Sequence, residues 1–312
     1  MRLVFLGTPE FAVPTLEAVV AAGHAVVEVV TQPDRPAGRG QQLAASPVKQ
    51  AASRLGLRVY QPERVKHPEA AAHLAALAPT AMVIVGYGQI IPQSVIDIAP
   101  RGIINVHASL LPRYRGAAPI QWAIARGETR TGVTTMRIDA GLDTGDILLQ
   151  RETAIGDEET AVELAPRLAA MGAALLVETL AGLEAGVIVP RPQDSAQATY
   201  APLLKKEDGL IDWGRPAREI YSRVRGLLPW PGCYTGFRGQ LLHIWKARLG
   251  EGEGGARGAL RAAKGRLWVG CGEGASLELL EVQLEGRKRM GAAAFLSGQR
   301  LSHNEVFREV GD

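Results

Sequence analysis

The sequence predicts an α/β protein in two parts, a mostly parallel sheet covered by helices followed by a smaller β-rich unit. Three observations predict it. Short apolar runs alternate with helical patterns through the first half, as they must in a sheet buried on both faces. A Pro-rich polar stretch, Val189 to Thr199, then reads as a linker. Beyond it, short β-like pieces separated by Gly-rich turns replace the alternation. For 312 residues, two domains is the ordinary expectation.

The elements follow in order. Leu3–Leu6 is a buried-strand run that stops at Gly7. A helix from about Pro14 to Ala22 puts Leu16, Val19 and Val20 on one face. Val26–Thr31 is the second strand. Ser46-Pro47 opens a helix, with Ser as N-cap and Pro at the first helical position. Leu57–Tyr60 and Met82–Val85 read as strands with an Ala-rich helix between them, and Ile103–Val106 as another. Val133–Met136 and Ile147–Leu149 are strand-like and flank a polar, Gly-rich loop at 139–146. A long helix from about Ala161 to Leu183 closes the first domain. After the linker come a helix at 216–227 and β-like pieces at 241–248, 266–271 and 276–284, the pattern of a small barrel or sandwich. The expected division is 1–189, a linker at 190–205, and 206–312.

Composition excludes several classes. The only cysteines, Cys233 and Cys271, rule out a disulfide scaffold and a four-cysteine zinc site. The N-terminal apolar run is too short for a signal peptide or a span, and no later run reaches about 18 apolar residues unbroken. A cytoplasmic protein with no membrane contact is expected. Residues 1–205 carry 18 Lys and Arg against 19 Asp and Glu, whereas 206–312 carry 17 against 13. That basic third suits a polyanionic partner, or is simply a basic surface.

Ligands of open α/β sheets bind beyond the carboxyl ends of the strands. Gly7-Thr-Pro-Glu10 has only the first glycine of a dinucleotide fingerprint, and no phosphate loop of the G-x-x-x-x-G-K-[ST] type occurs. Asn105-x-His107 is more informative. Alternation puts both side chains on one face at a strand end. There an amide can hydrogen-bond a developing oxyanion and an imidazole can move a proton. The alternative is a buried polar pair that ties down a loop. Asp139-Ala-Gly-Leu-Asp-Thr-Gly-Asp146 lacks the calcium-loop pattern; it is either a solvated turn or the source of an Asp for His107. The loop 32–42, with Arg35 and Arg39, is longer than an ordinary link and offers charges to phosphates.

Together these pieces resemble the methionyl-tRNA formyltransferases, a family of folate-dependent formyltransferases, nearly end to end. The resemblance rests on Phe5–Phe11, Thr31–Gly40, Ser46–Lys49, Gly86–Pro92, Asn105–Gly116, Asp139–Asp146, Tyr200–Lys206 and Pro229–Tyr234, with no departure at the catalytic motif. It implies a Rossmann-like first domain and an OB-like barrel lying along tRNA. It implies formyl transfer from 10-formyltetrahydrofolate to the methionine amino group of initiator methionyl-tRNA, by a monomer without a metal. The catalytic trio maps onto Asn105, His107 and Asp143. Folate binding maps onto Ser109, Leu110, Leu111 and Pro112, with Gly86, Tyr87, Gly88, Gln89, Ile90 and Ile91. The 32–42 loop, with Arg35 and Arg39, is similar to the family's tRNA-contacting insertion. Lys205 and Lys206 are further candidate tRNA contacts. Phe11, beside the expected mouth, is a candidate for the methionine pocket, with core packing as the alternative. Rival readings are a formyltransferase for glycinamide ribonucleotide or an amino sugar, a nucleotide-binding oxidoreductase, and a non-catalytic tRNA-binding module.

Overall fold

The run Leu3–Leu6 forms β1 (Arg2–Gly7), and all four side chains are fully buried. A strand covered on both faces needs apolar residues at every position rather than at alternate ones. The computed structural model describes residues 1–37, 42–251, 254–302 and 305–308. After β1 come α1 (Val13–Ala21), β2 (Ala25–Val30), β3 (Arg35–Ala37), β4 (Gln42–Ala44), α2 (Pro47–Arg54) and β5 (Val59–Tyr60). Then follow α3 (Pro68–Ala76), β6 (Ala81–Val85), α4 (Gln93–Ile96), β7 (Ile103–His107), α5 (Pro119–Ala125), β8 (Arg130–Arg137), β9 (Ile147–Ala154) and α6 (Ala161–Ala185). By contact density the chain divides into two units. One comprises Met1–Gly116, Arg130–Ala154 and Ala165–Ala201; the other comprises Ala117–Thr129, Ile155–Leu164 and Pro202–Asp312.

The first unit is built on a seven-stranded sheet of order β5-β2-β1-β6-β7-β8-β9. Pairings from β5 to β7 are parallel, and β8 and β9 run antiparallel. The mostly parallel expectation therefore holds. The antiparallel end follows from the short polar loop at 139–146, which can join β8 to β9 only as a hairpin. The strand expected at 57–60 shrinks to Val59–Tyr60, which pairs only with Val29 and Val30 at the sheet edge. The α2 start is as expected: the Ser46 Oγ accepts the Lys49 N–H at 3.1 Å, with Pro47 in the first turn.

Two layers of side chains hold β7, the strand that matters most. Val106 packs in a cluster with Leu3, Phe5, Leu16 and Val83 from the strands and α1, and with Leu176, Leu180 and Leu183 from α6. Gly172 of α6 lets the helix approach closely, since a Cβ there would lie 2.7 Å from Val106 Cγ1. α6 is long and apolar enough to cross a bilayer, but half of its most apolar stretch is buried inside the protein. It is a core helix here.

The second unit contains α7 (Ala217–Gly226), β10 (Cys233–Phe237), β11 (Gln240–Leu249), β12 (Leu260–Ala263), β13 (Arg266–Gly270), β14 (Ser276–Leu284), β15 (Met290–Gly291) and α8 (Ala292–Gly298). Its sheet is antiparallel in the order β10-β11-β14-β13-β12, with β15 beside β14. The three expected β pieces are β11, β13 and β14. Among the described residues no pairing joins β10 to β12, so the sheet is antiparallel without a closed barrel. Cys233 and Cys271 are free and buried, and burial pushes their thiols up to about 12.

Glu278 on β14 is 3% exposed. Its carboxylate accepts hydrogen bonds from Arg266 Nε at 2.7 Å and Arg248 Nε at 2.8 Å. These partners, Arg266 foremost, hold its pKa down to about 2. A carboxyl depressed on folding adds stability above its unfolded value, and that contribution is lost as pH falls through the folded value. Both guanidinium groups are about half in water, which limits the gain. Glu278→Gln is expected to cost about 1–2 kcal/mol at pH 7 by denaturant unfolding. The gap to wild type should close as pH falls from about 4.5 toward about 2; an unchanged gap at low pH would refute this account.

Candidate active site

β7 ends at His107, at the carboxyl edge of the parallel half of the sheet. It lies where that half meets the antiparallel strands: Ile84 of β6 pairs with Asn105 on one side, and Met136 and Thr134 of β8 pair with Asn105 and His107 on the other. Asn105 and His107 share a face as alternation requires. They are 8% and 6% exposed, so what they bind, they bind in low dielectric.

The imidazole is fixed through one nitrogen. His107 Nε2 lies 2.9 Å from the Tyr114 carbonyl oxygen. A carbonyl only accepts, so Nε2 carries a hydrogen and donates it. Nδ1 is then the nitrogen whose protonation can change, and it faces Asp143 Oδ2 at 3.7 Å. That is too long for a hydrogen bond, but close enough for one charge to stabilise the other. The same Oδ2 accepts the Gly116 N–H at 2.8 Å. The structure thus brings together Asn105 and His107, side by side on β7, with Asp143 facing the imidazole from the 139–146 loop.

The rest of that loop serves its own geometry. Asp139 accepts the Gly141 N–H at 3.0 Å and the Thr144 hydroxyl at 2.7 Å, a turn-closing arrangement. Asp143 itself has φ +52°, sparsely populated for a residue with a Cβ.

The residues assigned to folate divide by role. In the 86–92 segment Gly86, Gly88 and Ile90 are exposed, Ile90 at 91%, while Tyr87 and Ile91 turn into the core. Burial lifts the Tyr87 hydroxyl to about 12. Gln89 ties this loop to the base of the 32–42 loop, its Nε2 donating to Gln32 Oε1 at 3.2 Å. Ser109 is fully buried and its hydroxyl donates to the Arg113 carbonyl at 2.6 Å. Gln150 Nε2 donates to the Leu111 carbonyl at 2.8 Å. Ser109 and Leu111 therefore shape the turn, and Leu110 and Pro112 are its half-exposed members.

The 32–42 loop begins and ends as an antiparallel pair, with Arg35 opposite Ala44. Its root is braced by Asp34, whose carboxyl is held below its usual range by hydrogen bonds from Lys49 and Gln61. Arg35 is exposed and pairs with Glu63 at 3.4 Å. Arg39 lies outside the described residues. Lys205 and Lys206 are exposed in the second unit. Phe11 is half-buried and packs against the main apolar cluster. Sequence reasoning singled out none of Gly116, Arg115 or Gln193, yet the Gly116 N–H donates to Asp143 Oδ2, and Gln193, bonded to Arg115, donates to the Asp143 carbonyl. The first two lie inside the quoted 105–116 motif; Gln193, in the expected linker, carries no pattern.

Residues 1–180 match the family described as formyl transferase, and residues 203–300 match the formyl transferase C-terminal domain. A methionyl-tRNA formyltransferase of Solibacter usitatus (strain Ellin6076) is 69% identical over 310 residues, covering 99% of each chain. The chain belongs to the methionyl-tRNA formyltransferase family. It is an enzyme of formyl transfer. The methionyl-tRNA formyltransferase of Koribacter versatilis (strain Ellin345) is 61% identical, covering 96% of each chain. The fold is also similar to that of the sugar 3N-formyl transferase WlaRD, crystallised with dTDP and 5-N-formyl-THF. The TM-score is 0.69 at 18% identity, covering 92% of this chain and 99% of that one.

Proposed function

We propose that this chain transfers the formyl group of 10-formyltetrahydrofolate to the α-amino group of methionine on initiator tRNA. The observation that carries the chemistry is the buried His107, with Nε2 committed to a carbonyl and Nδ1 turned toward Asp143 beside Asn105. Near-complete identity in length with relatives of that name supports the acceptor.

In this reading the neutral amine attacks the formyl carbon, and the carbonyl oxygen becomes an oxyanion. The Asn105 amide donates to that oxygen. The amine loses one proton, the bond from carbon to N10 breaks, and N10 gains one proton. Asp143 and His107 Nδ1 are the pair placed to hold that proton between the two steps. The exposed face of Gly86, Gly88 and Ile90, with Leu110 and Pro112, would hold the folate; Ser109, Leu111, Tyr87, Gln89 and Ile91 would shape its walls. Phe11 would border the methionine side chain.

Arg35, Arg39, Lys205 and Lys206 would contact the tRNA, adding salt-dependent affinity. We assign catalysis to 1–189, which we read as Rossmann-like, and tRNA contact to 206–312, with 190–205 between them. We read the second sheet as OB-like; the register shifts in β11 are of the kind that coil a sheet. We place the enzyme in the cytoplasm as a monomer with no metal.

The test supplies 10-formyltetrahydrofolate with methionyl initiator tRNA, methionyl elongator tRNA or glycinamide ribonucleotide. Formylation of the initiator tRNA, exceeding the elongator by at least about tenfold in kcat/KM, is the expected result. Transfer to glycinamide ribonucleotide alone would keep the chemistry and overturn the acceptor.

A further inference from the structure

Gln193 lies in the stretch that the sequence marks only as a linker, yet its side chain is tied on both sides. Its Oε1 accepts hydrogen bonds from Arg115, from Nε at 3.1 Å and Nη2 at 2.8 Å. Its Nε2 donates to the carbonyl oxygens of Asp143 and Gly145, each at 2.8 Å. The partners fix the orientation of the amide. A guanidinium only donates and a carbonyl only accepts, so a flipped amide satisfies neither side.

Arg115 is in turn buried and bonded. It is 3% exposed, its N–H donates to the Thr199 carbonyl at 2.8 Å, and its own carbonyl accepts the Ala201 N–H at 2.7 Å. Asp143, at φ +52°, occupies a left-handed conformation that costs a residue with a Cβ more than extended or helical backbone does. Its carboxylate is held by the Gly116 N–H, a bond to the side chain and not to the backbone. Gln193 constrains the backbone itself by gripping the carbonyls on both sides of Thr144.

We propose that Gln193, oriented by Arg115, is a positioning residue for Asp143, keeping its carboxylate at its place opposite His107 Nδ1. The proposal rests on the reading of Asp143 as the group that handles the proton.

Gln193→Glu separates the two halves of the contact. A carboxylate still accepts from Arg115, but it has no hydrogen to offer the two carbonyls and repels them. Four forms of the full-length enzyme are compared for formylation of methionyl initiator tRNA: wild type, Gln193→Glu, Asp143→Asn and the double variant. Gln193→Glu is expected to lower kcat about 10- to 100-fold, with KM for both substrates within about threefold. In the Asp143→Asn background the same change should alter kcat by less than about twofold, because no carboxylate remains to be positioned. A merely structural role would lower kcat equally in both backgrounds, and that result overturns the proposal. Gln193→Met, of similar length and without either hydrogen-bonding group, goes through the same cycle in case the glutamate variant folds poorly.

The failures are distinguishable. A wild type inactive on methionyl-tRNA overturns the functional reading, and the proposal with it. An Asp143→Asn enzyme as fast as wild type overturns the role of Asp143 and therefore the proposal. An active wild type, a slow Asp143→Asn and an unimpaired Gln193→Glu overturn the proposal alone.

Discussion

Asp143→Asn should lower kcat for formyl transfer by about 10²- to 10⁴-fold while leaving KM for folate and tRNA within a few-fold. The expectation follows from how little else the substitution changes. Asparagine keeps the length of the side chain, and its Oδ1 can still accept the Gly116 N–H that Asp143 Oδ2 accepts at 2.8 Å. Asparagine also tolerates the left-handed backbone that Asp143 adopts at φ +52°. The turn therefore survives and the charge does not. What is removed is the carboxylate 3.7 Å from His107 Nδ1, and with it, in the proposed mechanism, the acceptor for the proton that the attacking amine must lose. A thermal melt within about 2 °C of wild type would show that the fold is intact. Turnover within about threefold of wild type would refute the proton-handling role, since acid–base groups in position contribute at least about 10². His107→Ala should fail at least as severely, but it opens a buried cavity and so mixes chemistry with packing.

How much of this was legible in the sequence depends on which interactions leave a periodic trace. The strands β1 and β6 were legible as unbroken apolar runs of a sheet buried on both faces, and β2 and β7 as runs apolar but for one polar residue inside each, Glu28 or Asn105. The pairing of Asn105 with His107 was legible because a strand alternates with period two. Ser46-Pro47 was legible because helix starts have their own residue preferences. The antiparallel pair of β3 with β4 was not, because Arg35, Pro36 and Ala37 carry no strand pattern. β10 and β12 were missed for a related reason. β12 is mostly exposed, so little apolar pattern marks it, whereas β10 is buried throughout but has Thr235 and Gly236 inside its five residues. In the 86–92 segment the resemblance named every residue alike, whereas the backbone turns Tyr87 and Ile91 inward and leaves Gly86, Gly88 and Ile90 facing out.

Asp143 is the instructive case within the site. Spacing alone left three aspartates in the 139–146 loop as equals, and only the resemblance chose among them. The structure gives a physical reason for the choice: Asp139 is consumed by Gly141 and Thr144, while Asp143 is the one facing His107. Gln193 had no signal of either kind. A glutamine in a polar stretch has no periodicity, and its role appears only when residues 50 and 78 positions away meet it. Asn105 and His107, on a strand, were thus more legible than Asp143 and Gln193, which sit on connections.

The second large effect is expected from Gly116→Ala, at a position that contributes no side chain at all. Gly116 has φ +114°, a conformation nearly closed to residues with a Cβ. A Cβ there would also meet the Ala201 carbonyl oxygen at 2.7 Å. Neither conflict is with a flexible side chain that can swing aside. Ala201 is buried and its N–H is bonded to the Arg115 carbonyl at 2.7 Å, so the backbone of residue 116 must move instead. That backbone carries the N–H held by Asp143 Oδ2, and a shift of about 1 Å there is the kind that costs about 10²-fold in rate. Gly116→Ala should therefore lower kcat by about 10²-fold and stability by about 1–3 kcal/mol. Gly127→Ala is the control for strain without the site. It too has a positive φ, at +77°, but its Cβ would meet only the Ser222 hydroxyl at 3.6 Å, an ordinary contact. Both variants should lose stability, but only Gly116→Ala should lose turnover beyond what its stability loss explains. Equal turnover in the two would mean that the Gly116 N–H does not hold Asp143 in its working position.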